Sequence, residues 1–330
     1  MKPTGDANGL LDLMRGFQAP CVVAAAAEMG VFGSLAGAPR TAEAVAAACG
    51  ASSRAVTILL DALAALGVLE KTGDAYSVAV PLRAALDPAG PDSVLPMILH
   101  QANCLRRWSR LAWTARADAP SDPGPSILGP AADLESFIQA MNVVSGPVAD
   151  GLIASIDTGP VAHVLDIGGA SGTWTLAWLR AHPGARATIF DLPEVVPMAR
   201  ARIAAAGVAD RVGFAGGDYL RDPLPSGADV AWISAIVHQH SRGENRGLYR
   251  RAAAALVPGG RVLIRDIVMD PARTTPVAGA LFAVNMLAAT PGGGTWTLGE
   301  YREDLEAAGF SDVRLLRRDE GMHSVVAARR

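Results

Sequence analysis

From residue 161 onward the sequence alternates short apolar runs with helical segments, and this alternation constrains the fold more than any other feature. The strand-like runs are HVLDIGG, ATIFDLP, RVGFAGGDYL, VAWISAIVH, GRVLIRDIVM, VRLLRR and HSVVAAR, and the helical segments are TWTLAWLRAH, GENRGLYRRAAAALV and TLGEYREDLEAAGF. Such an order predicts an α/β fold, with a mostly parallel, doubly wound sheet and helices on both faces. Ligands of such sheets bind beyond the carboxyl ends of the strands.

Glycines and polar side chains lie at these predicted strand ends. The turn 168–172 follows the first strand, Asp191 and Asp218 end the next two, and His238 and Asp266 end the two after those. Because the carboxyl ends of parallel strands meet at one edge of a sheet, we expect these groups to lie close together.

The glycine turn DIGGASG does not fit a dinucleotide site. A G-x-G-x-x-G fingerprint starting at Gly168 requires glycine at 170 and 173, where the chain has Ala170 and Thr173. Asp166 before the turn, and glycines that let a ligand approach the backbone, favour S-adenosylmethionine, whose amino acid end carries no pyrophosphate.

Two further acids, at the ends of the next two strands, complete the predicted cofactor site together with Asp166. Asp191 is placed to accept hydrogen bonds from ribose hydroxyls, and Asp218, with Tyr219 beside it, from an adenine amino group. For any one of these acids alone, a helix cap or a loop carboxylate is the favoured explanation. Acids at three successive strand ends favour the cofactor.

Residues 1–92 have a separate organisation, which predicts a winged-helix-like domain that is all-helical apart from its wing. Apolar residues from Leu10 to Cys21 recur at helical spacing, and the helix continues toward Gly30. Thr41 caps a short helix, a serine at 52 or 53 opens a second one, and VLEKTGDAYSV forms a hairpin that turns at 72–74.

Charge argues against nucleic acid as a partner of this domain. Through Asp92 there are six Lys or Arg residues against nine Asp or Glu, whereas DNA binding requires clustered cations. A dimerisation module fits better. The whole chain has a net charge of −3, and its three cysteines show neither disulfide nor metal-ligand spacing. With no export signal and no uninterrupted apolar span, we expect a cytoplasmic protein without a membrane partner.

Residues 93–150 are predicted to form a helical connector that contributes to a substrate pocket, and residues 151–330 the sheet domain. Trp108, Met141 and Asn142 in the connector are pocket candidates. Phe282, Met286 and Trp296 would add an apolar, aromatic lining. The alternative for each of these side chains is ordinary core packing.

Several motifs together identify a family resemblance that covers nearly the whole chain. They are VLDIGGASGTW, IFDLPEV, GDYLRDPLP, VHQHSRGEN, LVPGGRVLIRD and TPGGGTWTLGEYREDLEAAGF. With these motifs the sequence resembles the plant caffeic-acid-type O-methyltransferases and their bacterial hydroxyneurosporene and polyketide-tailoring relatives. The resemblance implies a class I methyltransferase Rossmann-like fold, S-adenosylmethionine as cofactor, a small-molecule acceptor and a homodimer formed through the amino-terminal domain.

The resemblance also assigns roles to individual residues. The cofactor residues that it implies are Asp166, Gly168, Gly169, Gly172, Asp191, Leu192, Asp218, Tyr219 and Ser234. His238 aligns with the family's general base and Asp266 with one of two acids that bracket it; no metal is implied. Our substrate-pocket candidates are Trp108, Met141, Asn142, His240, Met286, Thr290 and Thr295.

The chain departs from the family pattern around the base. Gln239 and His240 replace an Asp and a Trp, Ser234 replaces a cofactor-contacting Lys, and Thr295 replaces the second acid. With one acid lost, His238 has less help in holding a positive charge, so the acceptor is expected to be a phenol, enol or thiol, or His238 only orients it. His240 is a packing group or a second base, and a His238/His240 metal pair lacks an evident third ligand.

Three alternatives remain open from the sequence. The same fold supports methylation of sulfur, nitrogen or carbon, and a protein that binds S-adenosylmethionine can have lost methyl transfer. A regulator is the third alternative, against which the acidic amino-terminal domain argues.

Overall fold

The computed structural model describes residues 5–330, and the chain divides into two compact units. The first unit comprises residues up to Arg106 together with Pro123–Val144. The second comprises Arg107–Asp122 and Ser145–Arg330. The domain boundaries near residues 92 and 150 remain predictions of the sequence.

The first unit combines helices with a small antiparallel sheet. Its elements are α1 (Ala7–Arg15), α2 (Gln18–Glu28), α3 (Val31–Ser34), β1 (Arg40–Thr41), α4 (Ala42–Ala48), α5 (Ser53–Ala65), β2 (Leu69–Thr72), β3 (Ala75–Val78) and the greater part of α6 (Leu95–Trp108). The predicted hairpin is β2–β3. A third strand, β1, pairs antiparallel with β3, so the strand content of this unit exceeds the predicted wing.

Local capping explains where the short helices begin. The Thr41 hydroxyl accepts a hydrogen bond from the Ala44 N–H at 3.4 Å, and the Ser52 hydroxyl accepts one from Ala55 at 3.3 Å. The helix predicted from Leu10 toward Gly30 is interrupted once, which separates α1 from α2, although the backbone of Gly16 and Phe17 between them stays in the right-handed helical region. The break falls at Gly16, a residue of low helix propensity.

Residues 5–330 leave the apolar side chains of helix α1 exposed. None of its residues is buried, and Met14 and the following Phe17 are 65% and 58% exposed. By length and composition alone, Ala7–Glu28 and Pro130–Ser155 are sufficiently apolar to cross a membrane, and α4 and α5 meet the same criterion as a bent pair. The expectation of no membrane partner therefore stays a prediction.

The second unit carries the alternating strands and helices. Its elements include α7 (Leu111–Ala117), the end of α8 (Pro130–Ser155), β4 (His163–Ile167), α9 (Thr173–Ala181), β5 (Arg186–Asp191), α10 (Val196–Ala205), β6 (Val212–Gly216), β7 (Ala228–Ser234), α11 (Arg242–Ala255), β8 (Leu256–Asp266), β9 (Val268–Met269), α12 (Val277–Ala289), β10 (Trp296–Thr297), α13 (Leu298–Glu306), β11 (Ser311–Arg317) and β12 (Ser324–Arg329).

Seven of these strands form one sheet in the order β11-β12-β8-β7-β4-β5-β6. The five neighbouring strands β8, β7, β4, β5 and β6 pair in parallel. Strand β12 pairs antiparallel with β8, and β11 pairs antiparallel with β12. The predicted α/β sheet is confirmed. Its switch point lies between β4 and β7, where the chain order reverses and where ligands of such sheets bind.

Both faces of the sheet are covered by helices. On one face, Leu248 of α11 and Leu305 of α13 pack against the sheet. On the other face, Trp174 and Trp178 of α9 pack against Trp232 of β7, with ring centroids 5.3 and 5.5 Å from that of Trp232. The aromatic cluster anchors α9, which follows the glycine turn.

A buried carboxylate ties α11 to α13. Asp304 is 4% exposed, and it accepts hydrogen bonds from Arg242 Nε at 2.8 Å, Arg242 Nη2 at 2.9 Å and Arg246 Nε at 2.6 Å. These bonds are charge-assisted, and the carboxylate compensates two cations at once.

Replacing Asp304 by asparagine should destabilise the fold by about 2–3 kcal/mol, because the buried carboxylate that accepts charge-assisted hydrogen bonds from both Arg242 and Arg246 becomes a neutral amide. Glu303 contacts the same Arg242 but its side chain is 69% exposed, so Glu303→Gln should change stability by less than about 0.5 kcal/mol. Urea unfolding of both variants and the unchanged protein measures the difference. Equal losses of stability in the two variants would contradict the role of Asp304 as the carboxylate that ties α11 to α13.

Candidate active site

The turn after β4 forms a backbone cradle at the sheet's switch point. Gly168 adopts a φ of +69°, and a Cβ there would lie 3.2 Å from Ile236 Cδ1. At Gly169 a Cβ would come within 3.0 Å of Asp166 Cγ. Side chains are therefore excluded at both positions by conformation or by space.

Ala170 occupies a conformation that normally favours glycine. Its φ is +44°, and its N–H donates a hydrogen bond to Asp191 Oδ2 at 2.7 Å. The Leu192 N–H donates to Asp191 Oδ1 at 2.8 Å. Asp191 therefore fixes the glycine turn to the end of β5.

Asp191 keeps acceptor capacity for a ligand. A carboxylate offers about four lone-pair sites, of which the two backbone N–H groups occupy two. Burial raises the pKa of Asp191, while its bonds to Ala170 and Leu192 oppose that rise. Leu192 beside it is 40% exposed, which places an apolar surface next to the carboxylate.

Asp166 supports the turn from within the protein. It is 1% exposed, and its Oδ2 accepts a hydrogen bond from the Thr175 hydroxyl at 2.6 Å. Burial raises the pKa of this carboxyl to about 7. The chain's own atoms cover Asp166, so a direct contact with a cofactor remains a prediction of the sequence.

Asp218 and Tyr219 follow β6 at the same edge of the sheet. Asp218 Oδ1 accepts a hydrogen bond from the Leu220 N–H at 2.8 Å, which shapes the turn. The Tyr219 hydroxyl lies 3.0 Å from His240 Nε2, and burial raises the pKa of Tyr219. This hydrogen bond joins the β6 turn to the histidine segment.

His238 does not lie at the end of its strand, contrary to the sequence prediction. Strand β7 ends at Ser234, because Ala235 turns the backbone with a φ of +57°. His238 then lies in a single 3-10 turn, Val237–Gln239, and is 6% exposed.

The His238 ring is held by Asp266 of the neighbouring strand. Its Nδ1 lies 2.9 Å from both Asp266 carboxylate oxygens, and Asp266 Oδ1 also accepts the Ile267 N–H at 2.8 Å. Because an anionic carboxylate only accepts, the proton resides on Nδ1 and the Nε2 lone pair remains available as a base.

His240 has a different environment from His238. Burial lowers its pKa, so the neutral ring is favoured, and its ring lies edge-on to Tyr219 with centroids 5.6 Å apart. These contacts favour packing over a second base. Within residues 5–330 there is no group of three or more His, Cys, Asp and Glu side chains placed to hold a metal ion.

The segment from α12 to β10 encloses the His238 turn. Phe282 lies edge-on to the His238 ring with centroids 4.8 Å apart, and the Gly294 N–H donates to the His238 carbonyl at 2.8 Å. A Cβ on Gly293 would collide with that same carbonyl and with the Thr290 hydroxyl. The glycine run therefore permits close contact with the backbone of the base.

The remaining substrate candidates are distributed along this unit and the other one. Met286 in α12 is 5% exposed, and the Thr290 hydroxyl donates to the Met286 carbonyl at 2.8 Å. Thr295 is 3% exposed and donates to the Gly279 carbonyl at 3.3 Å, so the proton of its hydroxyl is committed to that carbonyl. Trp108 Nε1 donates to Asn285 Oδ1 at 2.8 Å.

Met141 and Asn142 lie in the part of α8 that belongs to the first unit, and both are half-buried. Their contribution to a substrate pocket remains a prediction.

Arg265 is a polar residue of this edge that the sequence analysis missed. Its guanidinium is 1% exposed and lies beside Ser234, His323 and Trp174. The signal was present in the strand GRVLIRDIVM, where an arginine interrupts an otherwise apolar run that ends in Asp266.

The residues at this edge fit an adenosyl cofactor with an amino acid end. The turn after β4 has glycines at two positions where a side chain is excluded, and Asp191 retains acceptor sites at the end of β5. A ribose needs hydrogen-bond acceptors for its hydroxyls, and the adjoining part of such a ligand needs glycines that let it lie close to the backbone.

Comparison with known proteins gives an independent result. The model of the O-methyltransferase domain matches residues 130–311, and that of the O-methyltransferase dimerisation domain matches residues 11–79. The chain is 35% identical to a 3-hydroxy-5-methyl-1-naphthoate 3-O-methyltransferase of Streptomyces sahachiroi, covering 96% of this chain and 94% of that protein. It is 34% identical to the tetracenomycin polyketide synthesis 8-O-methyl transferase of Streptomyces glaucescens, over 92% and 91%.

A solved structure agrees with these matches. Human N-acetylserotonin methyltransferase in complex with S-adenosylmethionine superposes with a TM-score of 0.82 at 27% identity, covering 100% of this chain and 99% of that chain.

The positive φ of Ala170 predicts the sign of the stability change when glycine replaces it. Ala170→Gly should stabilise the protein or leave its stability unchanged, because relief of a left-handed alanine, about 1–2 kcal/mol, equals or exceeds the entropy that glycine adds to the unfolded chain. Ala201→Gly in the exposed interior of α10 should destabilise it by about 0.5–1 kcal/mol. Thermal and urea unfolding measure the stability of both variants. A loss of stability in Ala170→Gly as large as that in Ala201→Gly would show that Ala170 is not strained.

Proposed function

This chain belongs to the family of S-adenosylmethionine-dependent O-methyltransferases, and on that premise we propose that it methylates a hydroxyl group of a small aromatic acceptor. The observation that carries the proposal is the buried His238–Asp266 pair, which leaves one imidazole nitrogen available beside the aromatic ring of Phe282.

We assign the cofactor to the strand-end edge of the second unit. Gly168, Gly169 and Gly172 would admit its amino acid end, and Asp191 would accept hydrogen bonds from its ribose. Leu192, Asp218, Tyr219 and Ser234 complete the proposed site. When bound, S-adenosylmethionine supplies a methyl group on a positively charged sulfur.

His238 acts as the general base in this proposal. Its Nε2 removes the proton of the acceptor hydroxyl as the oxygen becomes nucleophilic, and the imidazolium that forms donates through Nδ1 to Asp266. The pair is removed from water, since the two side chains are 7% and 1% exposed, so the carboxylate stabilises the developing charge strongly. Positioning of the acceptor against His238 by the 290–296 segment contributes the rest.

The proposed acceptor is aromatic and more acidic than an alkyl alcohol. One relative is named for a hydroxynaphthoate and another for polyketide synthesis. The Phe282 ring and the buried Met286 offer an apolar surface close to the base. Thr295 stands where the family pattern has a second acid, so one carboxylate supports the imidazolium, and a phenol or enol needs less help than an alcohol.

We further propose a homodimer formed through the amino-terminal domain. This region matches the family's dimerisation domain, and α1 presents exposed apolar side chains, including Met14 and Phe17, that a second copy would cover. The net charge of −3 argues against nucleic acid as a partner.

Incubation with S-adenosylmethionine and a panel of hydroxynaphthoates, phenolic polyketides, thiols and amines tests the function. We expect S-adenosylhomocysteine to form together with an O-methyl ether, identified by mass spectrometry and by the chemical shift of the new methyl carbon. A product methylated only on sulfur, nitrogen or carbon would overturn O-methylation. Binding of the cofactor without turnover across the panel would favour a protein that has lost transfer.

His238→Ala tests the base. We expect kcat to fall by about 10²- to 10⁴-fold, while the affinity for S-adenosylhomocysteine, measured by calorimetry, stays unchanged. The defect should shrink as the pH approaches the pKa of a phenolic acceptor, because the ionised oxygen needs no base. Full activity of the variant at neutral pH would show that His238 does not act as the base.

A further inference from the structure

Arg265 is a buried cation for which the described chain supplies no paired anion. Its Nη1 donates to the Ser234 hydroxyl at 3.0 Å, and its Nε and Nη2 donate to His323 Nδ1 at 3.2 and 2.9 Å. The guanidinium also lies over the Trp174 ring, 4.6 Å from its centroid. No carboxylate among residues 5–330 approaches it within 4.0 Å.

A buried guanidinium without a counter-ion is costly, so its retention calls for a function. Burial lowers the pKa of Arg265 to about 10, which still leaves it charged at neutral pH. His323 accepts from the guanidinium through Nδ1 and is therefore neutral there. Burial, followed by the charge of Arg265, lowers the pKa of His323 accordingly.

The position of Arg265 points to the cofactor rather than to the acceptor. Arg265 and Asp266 are neighbours in β8, so their side chains lie on opposite faces of the sheet. Asp266 serves His238 on one face. Arg265 lies on the other face against Trp174, the second residue of the helix that follows the glycine turn.

Ser234 connects the buried charge to the strand-end edge. It pairs with Arg265 in the β7–β8 register, and Ile233 before it pairs with Ile167, so Ser234 is level with Gly168. Its oxygen accepts from Arg265, which leaves its own proton to donate, and no acceptor in residues 5–330 takes that proton. Ser234 is half-buried, whereas Arg265 is enclosed.

We propose that Arg265 is a positioning residue for the carboxylate of the cofactor's amino acid end, which Ser234 binds through its hydroxyl. The guanidinium fixes that hydroxyl and adds a positive charge behind it. This charge stands in for that of the lysine that the family pattern has at position 234 of β7. This inference rests on the proposed function, because it takes S-adenosylmethionine as the ligand.

The test compares two ligands that differ by one group: S-adenosylhomocysteine and its decarboxylated form, which keeps the adenosine, the thioether and the amine. Calorimetry gives both dissociation constants for the unchanged protein, Arg265→Met, Arg265→Lys and Ser234→Ala. Methionine keeps a long apolar side chain against Trp174, and removal of an unpaired buried charge is commonly tolerated.

We expect Arg265→Met and Ser234→Ala to weaken S-adenosylhomocysteine by about tenfold or more, the scale of a hydrogen bond to a charged group. The decarboxylated ligand should bind all variants equally, and Arg265→Lys should recover part of the loss. Should Arg265→Met fail to fold, Ser234→Ala carries the same ligand comparison.

Equal losses for both ligands, or none for either, would overturn the inference and leave Arg265 a structural residue. A loss of affinity for a carboxylate-bearing acceptor, with S-adenosylhomocysteine unaffected, would also overturn it. The cofactor assignment is tested by the unchanged protein alone. If that protein binds neither ligand, the cofactor assignment and the positioning role of Arg265 are both wrong.

Discussion

The two backbone hydrogen bonds to Asp191 are the constraint on which the ligand edge depends. The bond from the adjacent Leu192 N–H, at 2.8 Å, orients the carboxylate that accepts it. The bond from the Ala170 N–H, at 2.7 Å, holds the turn after β4 against the end of β5, although Ala170 must adopt a left-handed backbone to donate it. Strain of this kind persists only where the surroundings impose it. Here they do: the three tryptophans anchor α9, and the sheet anchors β5, so the turn between these rigid elements has little freedom.

His238 is positioned by a second, separate set of contacts. Asp266 orients the His238 ring from β8, while the glycine run 292–294 packs on the backbone of the same turn. The Trp296 indole donates to the Val237 carbonyl at 3.2 Å and adds a third restraint. Strand β8, the glycine run and the His238 turn all belong to the second unit.

The sequence predicts the elements whose patterns are local. Apolar runs that end in glycine or an acid identify β4, β5 and β8, and the capping residues Thr41 and Ser52 identify two helix starts. Helices α10 and α12 escaped prediction because their apolar residues do not gather on one face: VPMARARIAA mixes cations with small residues, and VAGALFAVNMLAA is apolar on nearly every side. Periodicity therefore gives no signal there.

The displacement of His238 from the strand end was beyond the reach of pattern alone. It depends on one alanine, Ala235, whose positive φ is imposed by its tertiary surroundings and not by its own preference. The contacts of Arg265 were equally hidden, because Ser234 and His323 are separated from it by 31 and 58 residues. A sequence shows that a charge interrupts a strand, whereas only the fold shows which groups surround it.

The charges of the two halves of the site differ in a way that bears on chemistry. Relative to the family pattern, Ser234 removes a cation at the cofactor side and Thr295 removes an acid at the base side. Arg265 restores positive charge next to Ser234, whereas the Thr295 hydroxyl is committed to the Gly279 carbonyl and restores no negative charge near His238. In the proposed reaction, cofactor binding therefore stays close to the family pattern while the support for a positively charged His238 declines. The proposed role of His238 as base then requires an acceptor hydroxyl that gives up its proton readily, which favours phenols and enols over alcohols.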